Sequence, residues 1–134
     1  MKTRQEMITK ARQAQNNAYA VYSNFHVGVC LRTEDDALFS GGNVENAAYP
    51  VGQCAETSAI GAMIAAGKRN IKEVVVVGPN QTLCPPCGAC RQRLSEFATP
   101  ETPIHLYSSD DRHQTFLLGE LLPEAFGPNN LDPS

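Results

Sequence analysis

The spacing of apolar residues divides the first third of the chain into a helix and a hairpin. Apolar side chains three and four positions apart predict an amphipathic helix over residues 4–19, with a face formed by Met7, Ile8, Ala11, Ala14 and Ala18. The stretch from Phe25, FHVGVCLRT, alternates as a strand does, and a turn at residues 34–36 leads to a second strand over 37–41. These strands predict an antiparallel hairpin after the first helix.

The middle of the chain is more apolar. Residues 43–52, NVENAAYPVG, are typical of a loop, and a helix is predicted over 53–66, ended by Gly67. Because this helix is apolar or small on nearly every side, we expect it to be buried under a sheet or between subunits. The next run, IKEVVVVGP, has four consecutive valines, which is typical of a central strand covered on both faces.

The remaining pattern continues this alternation of elements. It predicts a helix over Gly88–Phe97, a strand over Pro103–Tyr107 and a short helix over 115–122. Strands that alternate with helices indicate a mostly parallel sheet with helices on its faces, next to the antiparallel hairpin. We interpret residues 1–134 as a single α/β domain, with 127–134 as a frayed tail.

Composition excludes several classes of function. The 134 residues are 42% hydrophobic and 19% charged, as in ordinary globular proteins. The net charge of −3 and the lack of a Lys/Arg cluster argue against binding to DNA or RNA. The polar N-terminus lacks the core of a signal peptide, and no apolar run reaches the ~18 residues of a membrane span. With five cysteines, an odd number, the chain is expected in the cytoplasm and without a disulfide framework.

Three of these cysteines lie in one segment, TLCPPCGACRQRL, at residues 82–94. Cys87 and Cys90 are three residues apart at a predicted helix start, where the helix dipole is expected to shift both thiols toward the thiolate, the form that binds zinc. The two prolines after Cys84 hold the chain extended, so we expect Cys84 to lie outside a shared metal site. Cys30, in mid-strand, is interpreted as a buried apolar residue.

A second cysteine motif completes the pattern. Cys54 begins the apolar helix, and Glu56 follows it two residues later. A Cys-x-Glu at one helix start and a Pro-Cys-x-x-Cys at another is the pattern of zinc deaminases, whose glutamate is not a ligand. Three ligands leave the fourth tetrahedral position for water, as in catalytic zinc sites. Two alternatives stay open, a structural site of four cysteines and a redox dithiol at Cys87 and Cys90, but neither gives the glutamate a role.

With these motifs the chain resembles the small, homotetrameric, zinc-dependent cytidine deaminases. The matching stretches are AYAVYSNFHVGVCL, NVENAAYPVGQCAE, PPCGACRQ and ELLPEAF, in the order and spacing of that family. The resemblance implies a three-layer α/β/α fold with a mixed five-stranded sheet and an N-terminal β-hairpin. It also implies hydrolytic deamination of cytidine and deoxycytidine to uridine and deoxyuridine, with release of ammonia, in pyrimidine salvage.

The resemblance implies roles for individual residues as well. Cys54, Cys87 and Cys90 would bind one Zn²⁺ per subunit, and Glu56 would be the catalytic proton shuttle to N3 of the pyrimidine. The implied substrate contacts are Asn43 and Glu45 with the ribose hydroxyls, the backbone of Ala55 with the base, Phe25 against the pocket, Phe126 from a neighbouring subunit, and Tyr49 as a further candidate at the pocket or at a subunit contact.

Two positions depart from the family pattern. Thr57 follows Glu56 where many relatives carry an arginine, which can offset the negative charge of three thiolates on zinc. We hypothesise that the two helix N-termini, together with Arg91, supply this compensation, although Arg91 as a surface or interface residue is an equal alternative. Cys84 stands where relatives have an apolar residue, and we expect it to have no role in the site.

Other functions are compatible with parts of this pattern. A deaminase of another base or of an aminonucleoside antibiotic would use the same zinc motif, but the NVEN stretch favours a ribose-bearing substrate, because Glu45 offers an acceptor for a sugar hydroxyl. Deamination of bases in tRNA or DNA would need a basic surface for phosphates. A non-catalytic zinc module would need no glutamate beside its ligand.

Overall fold

The computed structural model describes residues 3–131. Within this range the helices and strands, in chain order, are α1 (Arg4–Asn16), β1 (Gly28–Thr33), β2 (Leu38–Gly42), α2 (Ala55–Ala65), β3 (Ile71–Val77), α3 (Gly88–Phe97), β4 (Pro103–Tyr107), β5 (His113–Leu117) and α4 (Leu118–Leu121). Short 3-10 turns occur at Tyr49–Val51 and Pro128–Leu131. The predicted tail thus begins with a turn, and its residues 132–134 lie outside the described residues.

The sheet is mixed, with five strands in the order β2-β1-β3-β4-β5. Only β3 and β4 pair in parallel among the described strands, and the other three pairings are antiparallel. The expectation of a mostly parallel sheet is therefore wrong, whereas the mixed five-stranded sheet with its N-terminal hairpin is confirmed. The reason is the place of β1. It lies between β2 and β3, so the two strands that α2 connects run in the same direction without being neighbours.

The end of the chain also differs from the prediction. Residues 115–122 were expected to form a helix, but His113–Leu117 form the edge strand β5 and only Leu118–Leu121 are helical. In β5 only Phe116 is partly buried, so the pattern carries no clear alternation. Backbone pairing with β4 decides the conformation, and local sequence does not report that pairing.

Helices cover both faces of the sheet, which confirms the three-layer α/β/α arrangement. On one face α1 packs on Cys30, Val75, Val77 and Tyr107 through Met7 and Ala11. On the other face the core is formed by α2, α3 and α4 against Val29, Leu31, Val74 and Val76. The four valines of β3 point alternately to the two layers and are all buried, as their uninterrupted run predicts.

Two glycines of the hairpin set how closely the helices approach it. A Cβ on Gly28 would lie 1.9 Å from the carbonyl oxygen of Ala11 in α1. A Cβ on Gly41 would lie 2.6 Å from the backbone nitrogen of Ala59 in α2. These contacts leave room only for hydrogen, so they fix the height of both helices above the sheet.

The two helices that carry the cysteine motifs start close together. Cys54 is the N-cap residue of α2 and Cys87 is the N-cap residue of α3. The two helices pack on the same face of the sheet, so their N-termini bring the two parts of the sequence pattern into one place. Among residues 3–131 no helix has the length and apolar character needed to cross a membrane.

Candidate functional site

The centre of the site is a cluster of three thiols. The Sγ atoms of Cys54, Cys87 and Cys90 all lie within 4.8 Å of one another, and those of Cys54 and Cys87 are 3.7 Å apart. A tetrahedral zinc ion with Zn–S bonds of about 2.3 Å holds its sulfur ligands about 3.8 Å apart. The cluster therefore fits zinc, and with three protein ligands it keeps one coordination position open.

The pKa values of the three thiols are shifted in different directions. Partial burial raises the pKa of Cys87, but hydrogen bonds from the Cys90 backbone and from the Cys54 and Cys90 side chains outweigh it and leave this pKa lowered. Burial raises the pKa of Cys90, and the charge of Glu56 raises it further. Burial also raises the pKa of Cys54. The predicted shift toward thiolate is thus confirmed for Cys87 and wrong for Cys90, because Cys90 is fully buried.

Glu56 lies beside the thiols, in the first turn of α2, and is only 4% exposed. Burial raises the pKa of its carboxyl, while its own backbone N–H, the Cys90 side chain and the charge of Arg93 lower it, with a net upward shift. A buried carboxyl with a raised pKa is a stronger base than a free one, which suits it to accept a proton and pass it on. This is the position that the proposed shuttle requires.

Cys84 is a half-buried neighbour of the cluster. Among residues 3–131, the group of cysteines close enough to share a metal ion is Cys54, Cys87 and Cys90, and it does not include Cys84. Its Cβ instead packs on the backbone of Gly78, where an added Cβ would come within 2.7 Å. Burial raises the pKa of this thiol to about 11. The geometry therefore agrees with the prediction from the two prolines and does not favour the four-cysteine alternative.

Arg91 braces the site from outside the cluster. Its Nε donates a 2.8 Å hydrogen bond to the carbonyl oxygen of Pro86, and its Nη1 donates one of 2.8 Å to that of Leu121. These bonds hold the turn before Cys87 against the end of α4. The hypothesis that Arg91 acts on the thiolates gains no support from these contacts.

The arginine that does contact a thiol is Arg93, which the sequence reasoning missed. Its Nη1 donates to Sγ of Cys90 over 3.7 Å. The signal was present in the spacing, because residues three apart on a helix are neighbours on its surface. Thr57, from α2, brings its hydroxyl to 4.0 Å from the same sulfur.

A cavity of about 530 Å³ opens beside the cluster, within the size range of small-molecule sites. Cys54 forms part of its wall, so the cavity and the thiol cluster are continuous. The lining residues are Tyr22, Ser23, Asn43, Val44, Glu45, Asn46, Tyr49, Gly52, Gln53 and Cys54.

The loop that carries Asn43 and Glu45 is held by backbone bridges. Val44 exchanges two hydrogen bonds with Gln53, of 2.9 and 2.8 Å, and so ties the loop to the residue before Cys54. On its other side the segment pairs with Tyr19, which donates to the carbonyl oxygen of Asn43 over 2.9 Å. The polar side chains of the cavity are thereby fixed relative to the start of α2.

Glu45 presents an ionised carboxylate to the cavity. It accepts hydrogen bonds from the backbone N–H groups of Tyr22, at 2.9 Å, and Ser23, at 3.1 Å, and from the Ser23 hydroxyl. The Ser23 side chain contributes most to lowering the pKa of this carboxyl. Asn43 accepts a 2.9 Å bond from the Val27 N–H and donates one of 2.9 Å to the carbonyl oxygen of Phe25.

The remaining predicted contacts lie in different places. Tyr49 lines the cavity, is 76% exposed and meets the ring of Tyr22 edge-on at 6.1 Å. Ala55 is buried as the first residue of α2. Among the described residues, the cavity lining does not include Phe25, which is 37% exposed, or Phe126, which is 58% exposed. The Phe126 carbonyl oxygen accepts a 2.8 Å bond from Gln92 of α3.

The fold and the thiol cluster define a zinc-binding α/β protein whose metal site keeps one position open. Residues 1–106 match the family described as the cytidine and deoxycytidylate deaminase zinc-binding region. The chain therefore belongs to this family of zinc-dependent deaminases.

Individual relatives agree with the family match over nearly the whole chain. The cytidine deaminase of Halalkalibacterium halodurans is 36% identical over 129 residues, which are 96% of this chain and 98% of the relative. That of Mycoplasma genitalium is 38% identical over 128 residues, 94% of this chain and 98% of the relative. The crystal structure of cytidine deaminase from Burkholderia pseudomallei superposes with a TM-score of 0.88 at 40% identity, covering 93% of this chain and 100% of that chain.

Proposed function

We propose that this protein is a zinc-dependent cytidine deaminase, a hydrolase that acts on the C–N bond of the cyclic amidine of cytidine and deoxycytidine. The products are uridine or deoxyuridine and ammonia. The observation that carries this proposal is the three-thiol cluster with Glu56 buried beside it and a polar cavity opening next to it.

Cys54, Cys87 and Cys90 would hold one Zn²⁺ per subunit, which when bound activates water as a Lewis acid. Glu56 moves the protons of the reaction. Its carboxylate accepts a proton from water and transfers it to N3 of the pyrimidine while the remaining hydroxide adds to C4. It then accepts the proton of this new C4 hydroxyl and delivers it to the amino group, so that the C4–N bond breaks and ammonia leaves. The burial that raises the pKa of Glu56 supports both steps, because it makes the carboxylate a stronger base than a free one.

The ribose is bound at the mouth of the cavity. A carboxylate has about four acceptor positions, and Glu45 uses three of them within the chain, so that one remains for a sugar hydroxyl. Asn43 likewise keeps one N–H and one lone pair after its two internal bonds. The backbone N–H of Ala55, at the start of α2, lacks a partner within the helix and is assigned to the base.

Phe25, Phe126 and Tyr49 are assigned to a pocket completed between subunits of a homotetramer. Large apolar side chains are exposed around the cavity of the isolated chain, including Val21 at 61%, Tyr49 at 76% and Val51 at 67%. The surface formed by Gly61, Ala62 and Ala65 of α2 and by the residue that caps this helix, Ala66, is exposed as well. Apolar surface of this extent favours association. Static light scattering tests the tetramer, and a monomer of full activity would contradict it.

We place the protein in the cytoplasm and in pyrimidine salvage, as a single domain acting on free nucleosides. The five cysteines are free thiols, which suits a reducing compartment. The net charge of −3 offers no electrostatic attraction to nucleic acid.

The decisive experiment compares the zinc-loaded wild type with Glu56→Gln. Conversion of cytidine is followed by the loss of its ultraviolet absorbance, and bound zinc is measured by elemental analysis. We expect both proteins to hold about one zinc ion per chain and Glu56→Gln to lose activity by at least about 10³-fold. Glu96→Gln, on the exposed side of α3, is the matched control and should keep full activity.

Two outcomes would contradict the proposal. An active Glu56→Gln protein would exclude the shuttle. A wild type that holds zinc but converts neither nucleoside would exclude cytidine and deoxycytidine as substrates. Other aminopyrimidines and aminonucleoside antibiotics would then be tested.

A further inference from the structure

Arg93 and Thr57 reach the same sulfur atom from two helices. The Arg93 guanidinium donates from α3 to Sγ of Cys90 over 3.7 Å. The Thr57 hydroxyl lies 4.0 Å from this sulfur on the side of α2. Cys90 itself is 0% exposed, so these two polar groups replace part of the water that a thiolate would otherwise have around it.

The zinc-bound cluster has a surplus of negative charge. Three thiolates around a divalent cation leave a net charge of −1, and an ionised Glu56 adds a second negative charge on the buried side of the cluster, where Cys90 lies. Such charge is costly away from water unless a cation or hydrogen-bond donors compensate for it. The N-termini of α2 and α3 supply partial positive charges, but these are each equivalent to only about half a unit.

The two arginines near the cluster, Arg91 and Arg93, direct their N–H groups to different acceptors. Arg91 directs two N–H groups to the backbone carbonyl oxygens of Pro86 and Leu121, so it is engaged in bracing the chain. Position 57 lies on α2 and faces Cys90 of α3, and it holds a neutral threonine. Among residues 3–131, Arg93 is the cation whose N–H reaches a sulfur ligand.

We propose that Arg93 is a positioning residue for the metal centre, whose guanidinium donates to the Cys90 sulfur and offsets the negative charge of the zinc-bound cluster. It thereby takes the place of a cation at position 57. This inference rests on the proposed zinc ligands. It concerns retention of the metal, and it predicts an effect on zinc that does not depend on turnover.

The test measures transfer of zinc from the holoenzyme to the chelator 4-(2-pyridylazo)resorcinol. Partners of metal ligands outside the coordination sphere typically change metal affinity by about 10- to 100-fold. Arg93 is exposed to solvent, which screens its charge, so we expect Arg93→Met to weaken zinc binding by about 10-fold, the lower end of that range. Arg93→Lys keeps the charge and should stay within about 3-fold of the wild type.

Two further variants separate a local charge from other effects. Arg69→Met makes the same chemical change at another exposed arginine and should leave zinc release unchanged. Thr57→Arg combined with Arg93→Met restores a cation beside Cys90 from α2, and should recover most of the lost affinity. Methionine is a good helix former, so α3 is expected to stay intact in all these proteins.

The outcomes distinguish this proposal from the one on which it rests. A wild type that holds no zinc would show that the ligand assignment is wrong. If the wild type holds zinc and Arg93→Met releases it at the wild-type rate, only the role of Arg93 is excluded. If Arg69→Met matches Arg93→Met, or if Thr57→Arg fails to rescue, the effect is not a charge acting at Cys90 and the proposal is overturned.

Discussion

The Sγ atoms of Cys54 and Cys87 lie 3.7 Å apart although the two residues are 33 positions apart in the chain. Each is the N-cap residue of its helix, and neither side chain makes a capping hydrogen bond. The thiols thus remain available as ligands, while the unpaired N–H groups of both helices favour negative charge around them. The close approach of two helix N-termini is the structural basis of the proposed metal site.

Removing Cys84 should leave the metal site intact. We expect Cys84→Val to hold about one zinc ion per chain and to keep activity within about 2-fold, because valine suits a half-buried position against Gly78. Cys87→Val is the matched variant and should lose zinc together with activity, because it removes one of three ligands. Elemental analysis and the cytidine assay measure both. Loss of zinc from Cys84→Val would reinstate the four-cysteine site.

Changing Glu45 should weaken substrate binding more than it slows turnover. Glu45→Gln replaces an ionised acceptor by a neutral amide, and a hydrogen bond to a charged group contributes about 1.5–3 kcal/mol, so we expect KM to rise at least about 10-fold. Steady-state kinetics with cytidine separate KM from kcat. Glu101→Gln, at an exposed position outside the cavity, is the control. An unchanged KM in Glu45→Gln would exclude a hydrogen bond between this side chain and the ribose.

Changing Arg91 should reduce stability. Arg91→Met removes two hydrogen bonds that join the turn before Cys87 to the end of α4. We expect the free energy of unfolding to fall by about 1–3 kcal/mol, the usual cost of losing such partners. Urea unfolding of the metal-free protein measures this effect without a contribution from zinc. The same stability as the wild type would show that these bonds are not needed for the fold.

Acid should destabilise the fold through a polar network on the α1 face of the sheet. Burial lowers the pKa of His105. The neutral ring donates from Nε2 to Glu73 over 2.7 Å and accepts at Nδ1 from Thr115 over 2.7 Å. Burial raises the pKa of Glu73, but hydrogen bonds from Arg32 and His105 outweigh it and leave this pKa lowered. The two shifts are compatible because Arg32, rather than a charged histidine, supplies the positive partner at 2.9 Å.

Both groups bind fewer protons in the folded protein than in the unfolded chain. Their stabilising contribution is therefore complete above the ordinary histidine pKa of about 6.5 and is lost as the pH falls below it, first through His105 and then through Glu73. We expect the free energy of unfolding to fall as the pH is lowered from 7 to 5, and His105→Gln to flatten this slope. Urea unfolding at several pH values tests this. If the slope is unchanged in His105→Gln, His105 is excluded as a source of the pH dependence.

Much of the site was already specified by local sequence. Cys54, Glu56, Cys87 and Cys90 stand at helix starts that Pro, Gly and apolar spacing predict, and a carboxyl or thiol near such a terminus has a chemical reason to be there. The four valines identified the central strand because a strand covered on both faces needs no polar position.

Only the tertiary structure decided how these parts meet. Strand direction, the β5 edge strand and the bracing contacts of Arg91 depend on partners far along the chain, and the period of side chains does not encode those partners. The same holds for charge at the cluster. Sequence shows that position 57 is neutral, but the contact of Arg93 with Cys90 depends on side-chain direction and burial. Local chemistry was therefore set by the sequence, and the pairing of distant groups by packing.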